Sequence, residues 1–189
     1  RSERSLAEYL EEYGVVAIES IDTRALVRRI RSQGAMRGVL STIDLDDASL
    51  VEKARQSPGL VGRDLVCEVA PHEVRTWSQP LSEWTILPGG APKSSANGSA
   101  PHVVAIDYGM KWNIPRHLVD MGCRVTIVPG NTTADQILAL EPDGIFLSNG
   151  PGDPAACDYA IAAIREIVEQ GVPIFGICLG HQLLGLASG

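Results

Sequence analysis

Apolar positions follow two rhythms along the 189 residues. From residue 102 onward, short unbroken apolar runs alternate with stretches of helical period; before residue 60, helical spacing dominates and the strand-like runs are weaker. VVAID (103–107) predicts a strand, followed by a turn and a helix over 112–121 that Gly122 stops. RVTIV (124–128) predicts a second strand, 133–140 a helix, GIFLS (144–148) a third strand and 157–170 another helix. VPIFGI (172–177) gives a fourth strand that runs into Cys178, and a last helix spans 179–187. Strands alternating with helices predict α/β architecture with a doubly wound, mostly parallel sheet. Ligands of such sheets sit beyond the carboxyl ends of the strands, where both 150–154 and Cys178 fall.

Upstream, Ser5 is placed to cap a helix through Tyr13 with Gly14 as its stop, and VVAI (15–18) reads as a strand. Ala25, Leu26, Val27 and Ile30 recur at helical spacing after Asp22, and Gly34 closes that helix. A strand near 38–43, a helix over 47–56 and the Pro58-Gly59 stop complete a smaller α/β region without legible chemistry. Between the halves, PGGAPKSSANGSAP (88–101) draws 12 of its 14 residues from Pro, Gly, Ser and Ala, which cannot bury a core and read as a linker. Domains at 1–87 and 102–189 follow.

Composition narrows the function classes. With 44% hydrophobic and 21% charged residues the chain can bury a core and is not a disordered tail. No apolar run approaches the roughly 18 residues needed to cross a bilayer, and the opening RSERSLAEYLEEYG is too charged for a signal peptide, so a soluble protein off the membrane is expected. The net charge of -7 is spread over both halves and offers no basic face for nucleic acid. Cys67, Cys123, Cys157 and Cys178 form no CxxC pair and no dense disulfide framework, which fits a reducing cytoplasm and gives no metal site.

Gly176-Ile177-Cys178-Leu179-Gly180 has the form G-x-nucleophile-x-G at a strand-to-helix junction. A nucleophile at so sharp a turn sits in strained backbone, and side chains two residues to either side would collide where strand and helix pass; glycine removes both collisions. The thiol is then exposed at a helix start, where unpaired N–H groups favour thiolate without a metal. Cys67, Cys123 and Cys157 lack that setting and read as structural. The second loop, SNGPGDP (148–154), is a rigid turn whose backbone can approach a ligand, and it supplies a donor opposite the Leu179 N–H. Two such donors make an oxyanion hole for acyl transfer. No phosphate-binding GxxxxGK[ST] pattern is present. Of the histidines, His181 follows the nucleophile on the same helix and is expected to face into packing, so no general base is evident. Gln182 is placed either to reach a ligand with its amide or simply to pack.

SNGPGDP (148–154) and GICLGHQLL (176–184) resemble the signature of class I, triad-type glutamine amidotransferases. IDTRAL (21–26), PGLVGRDL (58–65) and HVVAIDYGMKWNI (102–114) are similar to the small, glutamine-hydrolysing subunits of carbamoyl-phosphate synthetases, so the resemblance runs along essentially the whole chain. It implies hydrolysis of L-glutamine, with ammonia passed to a large subunit that makes carbamoyl phosphate from bicarbonate and ATP for arginine and pyrimidine synthesis. No cofactor is implied on this chain, ATP and its metal ions belonging to the large subunit. Carried over by position, Cys178 is the nucleophile that forms the glutamyl thioester, Gly150 and Gly152 hold the substrate through their backbone, Leu179 N–H serves the oxyanion and Gln182 contacts glutamine. The resemblance also implies that the family's catalytic His and Glu lie beyond Gly189 and its first strands before Arg1. An internal fragment is thus expected: 1–87 the later part of the small-subunit N-terminal domain, 102–189 the first half of the amidotransferase domain. The alternatives are a non-catalytic docking fragment and another triad-type amidotransferase.

Overall fold

The computed structural model describes residues 3–82, 85 and 100–189, so all of the composition-defined linker except Ala100 and Pro101 lies outside the described residues. The chain divides into two compact units, Arg1–Leu60 and Val61–Gly189. The first contains helices α1 (Leu6–Glu12), α2 (Thr23–Gln33) and α3 (Asp47–Gln56). Each starts at a side-chain cap: Ser5 accepts from Glu8 N–H in a reciprocal capping box, Asp22 from Ala25 N–H and Asp46 from Ser49 N–H. Segments 15–18 and 38–43, expected as strands, are irregular; an apolar run becomes a strand only when a ladder partner takes up its backbone groups, and neither has one among the described residues. None of residues 3–60 is buried.

The second unit carries α4 (Val66–Val69), β1 (Arg75–Trp77), β2 (His102–Asp107), α5 (Asn113–Asp120), β3 (Arg124–Pro129), α6 (Ala134–Leu138), β4 (Gly144–Leu147), α7 (Asp158–Glu169), β5 (Ile174–Gly176) and α8 (Leu179–Ser188), with a 3-10 turn at Pro154–Ala156. The five strands lie in the order β1-β3-β2-β4-β5, parallel except for antiparallel β1 at one edge. One face packs Val104, Ile106, Val128, Ile145 and Leu147 against Ile137 of α6, Ile164 and Ile167 of α7, and Leu183 of α8. The other packs Ala105, Val125, Ile127 and Phe146 beneath Ile114, Leu118 and Val119 on α5. Helices therefore cover both faces, the doubly wound arrangement that the alternating pattern predicts. No described helix is long and apolar enough to cross a membrane.

The compact units do not follow the composition-based boundary at 88–101: Val61–Trp77 packs with the sheet. Val66 is 1% exposed within the α6–α8 face of the core, and β1 adds a strand in the register Thr76↔Thr126. Trp77 stacks on Trp112 at 5.2 Å between ring centroids, with the Arg75 guanidinium 4.5 Å from the Trp112 ring centre.

Burial of this kind separates the two units in a mutational test. Ile164→Ala, at a position with no exposure, is expected to lower the stability of the sheet unit by about 2–5 kcal/mol, and Ile30→Ala on exposed α2 to leave that unit within about 0.5 kcal/mol, in urea unfolding followed by tryptophan fluorescence.

Candidate active site

At the end of β5 the chain turns through Ile177 and Cys178 into α8, and Ile177 N–H still donates to Leu147 O at 3.0 Å. Cys178 takes φ 53° and ψ -112°, a left-handed conformation rare for a side-chain-bearing residue, and its thiol is exposed. Both flanking glycines are sterically required. A Cβ on Gly176 would sit 2.7 Å from the Gly180 carbonyl carbon and from His181 N, and one on Gly180 would sit 2.4 Å from Leu147 O. The elbow is therefore backbone against backbone, with no room for a methyl group.

The loop after β4 is fastened to this elbow. Ser148 is fully buried; its Oγ accepts from Tyr108 N–H at 2.9 Å and donates to Asn149 O at 2.8 Å, while its carbonyl accepts from Gly180 N–H at 3.0 Å. The Asn149 amide bridges to the loop after β2, accepting from Lys111 N–H at 3.1 Å and donating to Gly109 O at 3.0 Å. Asp107, 2% exposed, turns that loop by accepting from Gly109 and Met110 N–H at 2.8 and 2.7 Å. A Cβ on Gly150 would lie 2.2 Å from Tyr108 O, so this glycine too is dictated by close approach. At the far end Asp153 Oδ2 accepts from Gly62 N–H at 2.9 Å and Oδ1 from Ala155 N–H at 3.0 Å. Those two donors, Gly62 first, hold the Asp153 carboxyl below the ordinary carboxylate range.

Among the described residues the N–H groups of Gly150, Gly152 and Leu179 donate to no acceptor. Three free backbone donors thus sit on the two loops that the Ser148 O–Gly180 N–H bond joins, and free N–H groups of this kind can stabilise an oxyanion.

Residues 104–189 match the glutamine amidotransferase class-I family model, and residues 1–40 match the model for the carbamoyl-phosphate synthase small chain, CPSase domain. The carbamoyl phosphate synthase small chain of Rhodopirellula baltica is 64% identical over 192 residues, covering 100% of this chain and 49% of the relative. Those of Thioalkalivibrio sulfidiphilus and Escherichia coli K12 are each 54% identical, again over 100% of this chain and 49% of the relative. Along its whole length this chain is similar to carbamoyl phosphate synthase small chains. It spans about half the length of the curated relatives it matches.

The expected site residues fall at one end of the sheet. Cys178, Leu179, Gly150 and Gly152 lie on the two joined loops, and Gln182 is exposed in the first turn of α8, its N–H donating to Cys178 O at 3.0 Å. His181 departs from expectation, being exposed rather than packed. The buried stripe of α8 runs through Leu179, Gly180, Leu183 and Ala187, and the helical period carries His181 off it. Sequence reasoning also missed the supporting residues Asp107, Gly62 and Asp64. Asp107 carried a usable signal, since it ends a parallel strand at the same sheet edge as the elbow. No described group of three or more His, Cys, Asp or Glu is placed to hold a metal ion.

The other thiols are set apart from Cys178 by their surroundings. Cys67 Sγ donates to Asp64 Oδ2 at 2.9 Å, and this contact with a carboxylate raises its pKa. Burial pushes the Cys157 thiol up to about 11, aided by Asp64, whose Oδ1 lies 3.6 Å from Sγ; burial likewise raises Cys123. At pH 8 only about one Cys157 in a thousand is thiolate. Limited iodoacetamide treatment at that pH, read by peptide mapping, is expected to label Cys178 first; prior labelling of Cys67, Cys123 or Cys157 contradicts the assignment. Gly180→Ala is expected to destabilise the sheet unit by about 1–3 kcal/mol in urea unfolding, because Leu147 O blocks the added methyl.

Proposed function

We propose that this chain supplies the glutaminase site of a carbamoyl phosphate synthase, with Cys178 as nucleophile. The observation that carries the reading is the exposed Cys178 thiol at a left-handed elbow followed by the free Leu179 N–H, with the Ser148 O–Gly180 N–H bond joining that elbow to the loop that carries the free N–H groups of Gly150 and Gly152. The Cys178 thiolate attacks the side-chain carbonyl carbon of glutamine, forming a C–S bond while the carbonyl electron pair moves to oxygen. Leu179 N–H, with a donor from the 148–154 loop, stabilises that oxyanion. Collapse reforms the carbonyl and expels the amide nitrogen, which leaves as ammonia once protonated. Water then adds to the thioester carbonyl, releasing glutamate and returning the thiol. Gly150 and Gly152 hold the substrate through their backbone, and the exposed Gln182 amide reaches it from α8.

None of the four histidines is hydrogen-bonded to Cys178 among the described residues, and His102 is bonded to Thr126 instead, at 2.8 Å. We give the proton-accepting role to the triad histidine that the resemblance implies. As the resemblance implies, ATP and its metal ions are given to a large partner subunit that consumes the ammonia, and no cofactor is assigned to this chain. Exposed α2, with Arg24, Arg28, Arg29 and Arg31 beside exposed Leu26, Val27 and Ile30, supports a docking role for the first unit. The setting is the cytoplasm, in keeping with four free thiols among the described residues.

The test uses the full gene product bound to its large partner. Cys178→Ser is expected to abolish glutamine-dependent carbamoyl phosphate synthesis and to leave ammonia-dependent synthesis nearly unchanged; loss of both assigns Cys178 a structural role instead.

A further inference from the structure

The loop 148–154 holds two of the three free donors on a run of two glycines and two prolines, and such a run keeps its shape only if both ends are tied down. Its first end is tied within the strand-end cluster, through Ser148 and Asn149. The second end is tied elsewhere. Gly152, at φ 95°, lies against residues 63–65: a Cβ there would meet Arg63 O at 3.0 Å and Leu65 N at 3.2 Å. Asp153 N–H donates to Arg63 O at 3.3 Å, and Asp153 Oδ2 takes the Gly62 N–H at 2.9 Å, from a residue 91 positions earlier.

The segment that receives these bonds is itself anchored. Asp64 Oδ1 accepts from Val66 N–H at 2.9 Å, and Val66 is buried in the core. Hence the path from core to substrate loop runs Val66, Asp64, Gly62, Asp153, Gly152. The two oxygens of Asp153 divide the work. Oδ1 caps the 3-10 turn at Pro154–Ala156 through Ala155 N–H, a local task that any short polar side chain performs, while Oδ2 reaches outside the loop. A charged acceptor makes the stronger bond to an N–H, which suits a tie that must hold a glycine in place.

We propose that Asp153 is a positioning residue for glutamine binding: by gripping the Gly62 N–H it braces Gly152, and with it the free N–H groups of the 148–154 loop, against the 61–65 segment. This rests on the glutaminase reading above. Asp153 touches no reacting atom, so its loss weakens the hold on glutamine without disabling the thiol.

Two variants break the brace from opposite sides. Asp153→Ser keeps one oxygen for the Ala155 cap and loses the reach to Gly62. Gly62→Ala leaves the cap whole; its methyl meets nothing within 4 Å, but φ 74° is strained for alanine, which displaces the donor. In the full gene product with its large partner, each variant is expected to raise the KM for glutamine about tenfold while kcat falls less than about threefold. The rate of Cys178 alkylation by iodoacetamide without glutamine is expected to stay unchanged, and about tenfold more glutamine to be needed for the same protection. Unchanged KM in both variants, or a fall in kcat at constant KM, overturns the brace while leaving the glutaminase reading intact. Altered Cys178 alkylation in the absence of glutamine also overturns it, since the change then reaches the elbow. If glutamine fails to protect Cys178 in the unsubstituted protein, the glutaminase reading falls and the brace with it.

Discussion

The arrangement at the carboxyl end of the sheet depends on how closely three pieces of backbone meet at Ser148. Its N–H continues the β2 ladder to Ile106 O at 3.1 Å, its carbonyl takes the N–H of Gly180, and its hydroxyl joins Tyr108 N–H to Asn149 O. The end of β2, the end of β4 and the start of α8 thus converge on one residue without exposure to water. Each such bond contributes about 0.5–1.5 kcal/mol net, and leaving a buried member unpaired costs about 1–3 kcal/mol, so the cluster holds together or fails together. Gly150 and Gly180 follow from it, because loops drawn this close leave no volume for a Cβ beside Tyr108 O or Leu147 O.

That contact also explains why the candidate site is built from main chain. The loops bring their own N–H groups to the sheet edge, where strand geometry has ended and no ladder partner remains, and the helix start adds another. Side chains enter as fasteners: Asp107 turns one loop, Asn149 ties it to the next and Asp153 closes the far side. Asp64 has a different effect. Placed at hydrogen-bonding distance from Cys67 and 3.6 Å from Cys157, it raises the Cys67 thiol and adds to what burial does at Cys157, so of the four cysteines only the one at the elbow stands clear of a carboxylate and of burial.

How much of this could be read from residue order follows from how local each signal is. β2, β3 and β4 are buried on both faces and write themselves as unbroken apolar runs, and the elbow and the glycine loop are contiguous motifs whose steric need is internal. β1 was not legible: three residues at an antiparallel edge, two of them exposed, carry no period. VVAI at 15–18 failed in the opposite sense, since it has the composition of a strand and no ladder partner among the described residues. The brace from Gly62 to Asp153 and the membership of Val66 in the sheet's core are contacts across about half the chain, which no local pattern encodes. His181 was misread because helical spacing alone does not say which arc of α8 meets the sheet; Leu179, Leu183 and Ala187 do.

The backbone angle at Cys178 sets folding against chemistry at a single position. A side-chain-bearing residue held there costs the fold about 1–3 kcal/mol, whereas glycine would occupy the same turn at ease. With Cys178 as the proposed nucleophile, its replacement by glycine would be expected to yield a chain that melts later and hydrolyses no glutamine. A search for thermostable variants that scored only melting temperature would select that replacement, and would discard the sulfur on which the proposed reaction depends.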